Sequence, residues 1–162
     1  MELESLESET VIGSVGKTAD GRDPDIVTLP DGRMLVVWSE VLVTPTDSFT
    51  DLNGAIFARY LKADGTPDGE AFQVNAWEPA VQSAPKVTVL GNGSVVIGWS
   101  SEITYGDDPV DRDVFFQIYD DEGDPLREQP FDAILDNPPF VQELVDLVSL
   151  TANRLAVLFS DG

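Results

Sequence analysis

Carboxylates are the chemistry this chain carries in greatest supply: thirty acidic residues stand against nine basic ones. The densest run is Gly106-Asp107-Asp108-Pro109-Val110-Asp111-Arg112-Asp113. Acidic, turn-forming loops of this kind suit calcium, a hard cation that gathers carboxylate and carbonyl oxygens. An equivalent loop earlier in the chain holds Asp47, Asp51 and Asn53, followed by Gly54. Asp107, Asp108, Asp111 and Asp113, together with Asp47, Asp51 and Asn53, are therefore the candidate metal ligands, and calcium is the candidate cofactor. Neither loop follows the D-x-[DN]-x-[DN]-G spacing in full. A solvated acidic loop on an acidic protein is the competing reading. The runs Asp64-Gly65 and Asp120-Asp121-Glu122-Gly123-Asp124 read as hairpin turns before they read as metal sites.

Other chemistries are closed off by composition. The chain has no cysteine and no histidine, so thiolate nucleophiles, disulfides, imidazole bases and zinc sites built on either residue are excluded. Among thirty acidic residues some pair will lie at the spacing that glycoside hydrolysis requires, but nothing singles one out. There is no G-x-S-x-G, no P-loop and no dinucleotide fingerprint. A net charge of −21 repels phosphate backbones and anionic headgroups. Nucleic acid and membrane insertion are thus not expected, and a non-enzymatic role is favoured. A glycan or protein ligand remains open, with Trp77, Tyr105 and Phe140 as loop aromatics that could stack on a sugar.

The elements that must position these loops form a repeat. Trp38 closes the run RMLVVW and Trp99 closes SVVIGW, 61 residues later; Pro24 and Pro85, and Gly32 and Gly93, share that offset. AIFARYLKADG and DVFFQIYDDEG align at 58, and LVDLVSLTANRLAVLF begins a third copy with Phe159 where the tryptophans stand. Self-similarity at a fixed period of this size marks a repeat architecture. Each unit predicts four short strands. The first is Ile26–Leu29 or Val87–Leu90, then a tight glycine turn. The second, Met34–Trp38 or Val95–Trp99, is continuously apolar and so is expected to be buried on both faces. The third, Ile56–Leu61 or Val114–Tyr119, carries Arg59 or Gln117 and should lie nearer an edge. The fourth is Ala71–Val74 or Phe131–Ile134.

The expected fold is all-β: about two and a half antiparallel four-stranded repeats of roughly sixty residues, read as blades of a partial β-propeller. The units run over about 9–69, 70–130 and an incomplete 131–162, with Trp38, Trp99 and Phe159 as wedges between them. A β-sandwich is the alternative. Thr10–Ser14 matches a fourth strand, so the chain is expected to begin and end inside a unit. It is then a fragment of something longer, or a homo-oligomer that completes the ring by pairing.

DPDIVTLPDGRMLVVWS, ARYLKADGTPDGEAFQVN and APKVTVLGNGSVVIGWS resemble the propeller-like β-repeat regions of large secreted bacterial proteins, many of which carry calcium-binding RTX nonapeptides elsewhere. The resemblance spans about Glu9 to Ser160. It implies a structural, adhesion or ligand-binding module, secreted or at the cell surface, exported without an N-terminal signal. No G-G-x-G-x-D nonapeptide occurs, so the calcium roll of that family is not implied. A weaker likeness is to sialidase-type propellers, but the Asp-box S-x-D-x-G-x-x-W is missing.

Overall fold

The structure, a computed structural model, describes residues 20–41, 54–75, 81–103, 111–132 and 142–161 of the chain. Ten strands and no helix lie within them. Strands β1 (Asp20–Thr28), β2 (Met34–Val41), β3 (Ala55–Leu61) and β4 (Phe72–Gln73) make one antiparallel sheet in sequence order. Strands β5 (Val81–Val89), β6 (Val95–Ile103), β7 (Asp111–Tyr119) and β8 (Phe131–Asp132) make a second in the same order. A hairpin of β9 (Gln142–Thr151) and β10 (Arg154–Asp161) follows. The two complete meanders reproduce the four strands read in each repeat. The third strand is flanked by β2 along its length and by a fourth strand of only two residues, paired at Phe57 and Ala58 or at Phe115 and Phe116. It therefore lies one short strand from the edge.

The turns follow from local sequence. Leu29 and Arg33 close a three-residue loop: the Arg33 carbonyl accepts from the Leu29 amide at 2.8 Å, and Gly32 donates back to Leu29 at 3.0 Å. Gly32 has φ of 90°, the left-handed residue that ends a type I turn in a hairpin of this length. Leu90–Ser94, Lys62–Thr66 and Asp120–Asp124 repeat the pattern, with Gly93, Gly65 and Gly123 at φ of 93°, 82° and 95°. Side chains staple them further. Asp31 accepts from the Arg33 backbone, Asp64 from Thr66, and Asn92 from Ser94, at 2.9–3.0 Å.

The first strand of each sheet is longer than the sequence suggests, because a proline interrupts it without ending it. In β1 the pairing steps from Arg22–Ser39 to Asp25–Val37, so Asp23 and Pro24 together face Trp38. In β5 it steps from Ser83–Ser100 to Lys86–Gly98, so Ala84 and Pro85 face Trp99. A bulge is the place in a sheet where proline, lacking an amide hydrogen, costs no ladder bond. Asp23 and Ala84 both take φ of 50° to make it. The equivalence of Pro24 and Pro85 is thus the sequence trace of one bulge used twice.

Burial explains the continuously apolar second strands. Along β2, Leu35 and Val37 enter a core shared with the second sheet, while Val36 and Trp38 enter a separate cluster with Ala55, Phe57 and Leu61 on the opposite face. Along β6, Val95, Ile97 and Trp99 meet the first sheet, and Val96 lies in a third core with Val114, Phe116, Leu144 and Leu147. Strands β1 and β5, and β5 and β9, are neighbours. Asp25 Oδ2 in β1 accepts from the Val87 amide in β5 at 2.9 Å, and Ser100 Oγ in β6 from the Leu144 amide in β9 at 2.9 Å. The sheets are therefore layered face to face, each in the same sense.

The hairpin is covered on one side only. Leu144 and Leu147 are buried beneath the second sheet, whereas Val148, Leu150 and Leu158 are 50%, 57% and 58% exposed. Phe159, expected in the same wedge role as the tryptophans, is 39% exposed against 2% for Trp99. It lies across from Leu144 just past a bulge at Leu158.

Two tyrosines fix the alkaline limit of this core. Burial pushes the Tyr119 phenol well above its ordinary value, and burial also raises Tyr60, with Arg33 pulling the other way. A phenol whose folded pKa is raised keeps the fold's full stability below its unfolded value near 10 and loses it as pH climbs beyond. Stability is therefore expected to fall above about pH 10. Absorbance at 295 nm should show these two phenols ionising together with unfolding. An ionisation complete before any loss of β-sheet circular dichroism would contradict their burial.

Candidate functional site

The seam between the two complete sheets opens at both ends, and the two openings differ in character. At the end where the β1–β2 and β5–β6 turns lie is a cleft of about 350 Å³, lined by residues including Pro30, Asp31, Tyr60, Asn92, Asp120 and Asp121. Arg33 serves this end: it meets Asp31 at 2.6 Å and Asp68 at 3.9 Å, and its guanidinium lies 5.1 Å from the Tyr60 ring centre. The Arg33 amide and guanidinium hold the Asp31 carboxyl below the usual carboxylate range.

Beside this cleft, carboxylate oxygens of Asp120, Glu122 and Asp124 lie within 4.8 Å of one another. They sit in the β7–β8 turn that the sequence reads as turn chemistry. Asp120 Oδ1 already accepts the amides of Glu122 and Asp124 at 3.0 and 2.8 Å. That leaves one free oxygen on Asp120 and two exposed carboxylates, fewer than the six to eight oxygens calcium takes. The trio could hold a metal ion only with water supplying the remaining positions.

Asp47, Asp51, Asn53, Asp107 and Asp108 lie outside the described residues, as do Trp77, Tyr105 and Phe140. Asp111 opens β7 opposite Ile103, and Asp113 stands opposite Ser101. Arg112 between them bridges Glu102 at 2.7 Å and Glu143 at 3.3 Å. It thus ties the second sheet to the hairpin.

Toward the other end of the strands the seam holds a smaller cavity of about 200 Å³, lined by Asn75, Gln82, Trp99, Ser101, Phe115, Gln129 and Pro130. None of these seven is ionisable, in a chain with thirty acidic residues. Trp99 and Phe115 stack with ring centres 6.3 Å apart at 20°. Asn75 is fixed from the first sheet: its Oδ1 accepts from the Ile56 amide at 2.8 Å. Gln82 and Ser101 are register partners on β5 and β6, 4% and 1% exposed. Gln82 Oε1 and Ser101 Oγ have no hydrogen-bond partner. A buried polar atom left unpaired costs about 1–3 kcal/mol, and both oxygens are themselves almost wholly covered.

The repeat shows how the cavity arises. The position equivalent to Ser101 in the first unit is Glu40, 1% exposed, whose Oε2 accepts from the Trp38 indole at 2.8 Å. A glutamate reaches the tryptophan of its own sheet; a serine two residues beyond Trp99 is too short to do so. No motif marks Gln82, Ser101 or Asn75. The sequence trace available was the mismatch of Glu40 with Ser101 in otherwise matching strands.

No protein-family model matches the chain, and no curated protein matches it in sequence. Fold and site together define a class: an all-β chain of layered antiparallel sheets, with a cavity between two of them whose described lining carries no ionisable group. Among the described residues no helix is long and apolar enough to cross a membrane.

Proposed function

We propose that this chain is a non-enzymatic repeat module of a secreted or cell-surface bacterial protein. Its sheets act as β-propeller blades that form a structural, adhesion or ligand-binding platform. The observation that carries this is the layering: two meanders with one pairing order stack in one sense, first strands adjacent, and a third unit continues the series. Radial stacking of four-stranded meanders is what a propeller does. The repeated bulge opposite Trp38 and Trp99 supports a shared blade geometry.

A second copy completing the ring, or further units of a longer chain, would cover the apolar face of Val148, Leu150 and Leu158, since exposed surface of this kind favours association. Calcium is the proposed stabiliser, held by the acidic loops and by the Asp120, Glu122 and Asp124 turn. Light scattering is expected to give twice the 17.6 kDa chain mass, with a disc-shaped envelope in small-angle scattering. A monomer, or an elongated dimer, would reject ring completion. Millimolar calcium after chelation is expected to raise the melting temperature, and magnesium to do less. At a hundredfold excess over Kd the gain is about 2.7 kcal/mol. An unchanged melting curve would remove calcium from the proposal and leave a metal-free scaffold.

A further inference from the structure

We infer that the outer face of the hairpin docks on a second copy of this chain, β9 lying along its β1 as β1 lies along β5. The inference rests on the ring-completion reading above and names the two surfaces that meet. The repeat supplies the pattern. Ile26, Val87 and Leu147 hold one register position, on the first strand of each sheet opposite Val36, Ile97 and Val157. Val87 and Leu147 are buried in the two cores between successive sheets. Ile26, with no preceding sheet among the described residues, is 53% exposed. Trp38 on the neighbouring strand is already buried, so the open contact lies at the first strand.

The complementary surface is open as well. Asp146-Leu147-Val148-Ser149-Leu150 on β9 repeats Asp25-Ile26-Val27-Thr28-Leu29 on β1. In β1 this run makes the seam: Asp25 Oδ2 accepts from the Val87 amide at 2.9 Å, and Val27 and Leu29 join the shared core. In β9 the counterparts Asp146, Val148 and Leu150 are all exposed. Asp146 Oδ1 accepts from the Leu147 amide at 2.8 Å, which leaves Oδ2 for the Ile26 amide of the second copy. The hairpin thus carries one half of a seam already used between β1 and β5, and Ile26 carries the other. Each copy bears −21, so added salt should strengthen the association.

Single cysteines test this, since the chain has none of its own. Intact Ile26→Cys and Val148→Cys chains are mixed in equal amounts at raised salt and joined with a short bis-maleimide. Leu126→Cys, exposed and off the seam, is the comparison. Peptide masses are expected to show position 26 joined to position 148 at least tenfold more than either site to itself or to position 126. Asp146→Ala should weaken association at least tenfold in sedimentation equilibrium, and Asp146→Asn, which keeps an acceptor oxygen, should weaken it less. If a cysteine chain fails to fold, the two Asp146 variants still decide. Predominant joining of position 148 to itself sets two hairpins face to face and overturns the inference. So does joining no greater than that of Leu126→Cys, or undiminished association of Asp146→Ala. A compact dimer without the mixed product rejects this seam and spares ring completion. The mixed product in an elongated assembly does the reverse, since a head-to-tail contact need not close.

Discussion

Gly98→Val is expected to destabilise the protein by about 3 kcal/mol, and adding Phe116→Ala is expected to recover most of that loss. A Cβ at Gly98 would meet the Phe116 ring at 2.5 and 2.7 Å and Leu144 at 3.1 Å. Phe116 is 4% exposed and packed against the hairpin, so it has nowhere to retreat. In the first sheet the same two register partners are Val37 and Ala58, both fully buried. The two units fill equivalent volume by opposite choices, large on β2 and small on β3, or small on β6 and large on β7. Phe116→Ala alone should cost about 3–5 kcal/mol by leaving a cavity. The double variant restores the first unit's pair, and urea unfolding of all four chains measures the coupling. Simple additivity of the two losses would show that the units do not share a packing scheme.

Trp99→Ala is expected to cost about 3–5 kcal/mol, a loss of the same size as that of Phe116→Ala. Trp99 is 2% exposed and belongs to a cluster drawn from both complete sheets, with Leu35, Val37, Ile56 and Ala58 on one side and Val95 and Ile97 on the other. Removing it opens the contact on which the layering depends. Against a total of about 5–15 kcal/mol for a domain, this is a large share of the stability and should lower the urea midpoint markedly. A loss below about 1 kcal/mol would show that Trp99 is not a core wedge, and would leave its contribution to the cavity wall as its main role. Phe159→Ala is expected to cost much less, because its ring is already 39% exposed.

Strand existence was legible in the residues themselves. MLVVW and VVIGW are apolar at every position, and each contributes to core clusters on both of its faces. The turns were legible because a three-residue hairpin loop needs a left-handed residue at its end, and glycine stands there four times. The full length of β1 and β5 was not. The sequence reading began the first strands at Ile26 and Val87, and only the ladder shows that pairing continues through a bulge at Pro24 and Pro85. The fourth strand of the first sheet runs only Phe72–Gln73, with one further backbone bond from Val74 to Ile56, while residues 133 and 134 of the second lie outside the described residues. The hairpin was legible as the start of a third unit, but the exposure of Phe159 was not, since burial depends on what packs above it.

The candidate site divides along the same line. The sequence by itself determined an all-β repeat, its period, its turns and its acidity, because these rest on local backbone geometry, residue counts and spacing. It also ruled out thiolate and imidazole chemistry, since neither residue occurs. Only the tertiary structure decided that Asp120, Glu122 and Asp124 draw together at a turn, and that Gln82 and Ser101 leave unpaired oxygens beside Trp99. A hydrogen bond not made is invisible in a sequence. It depends on the distance between two sheets, on Asn75 arriving from the first unit, and on a side chain one unit possesses and the next does not.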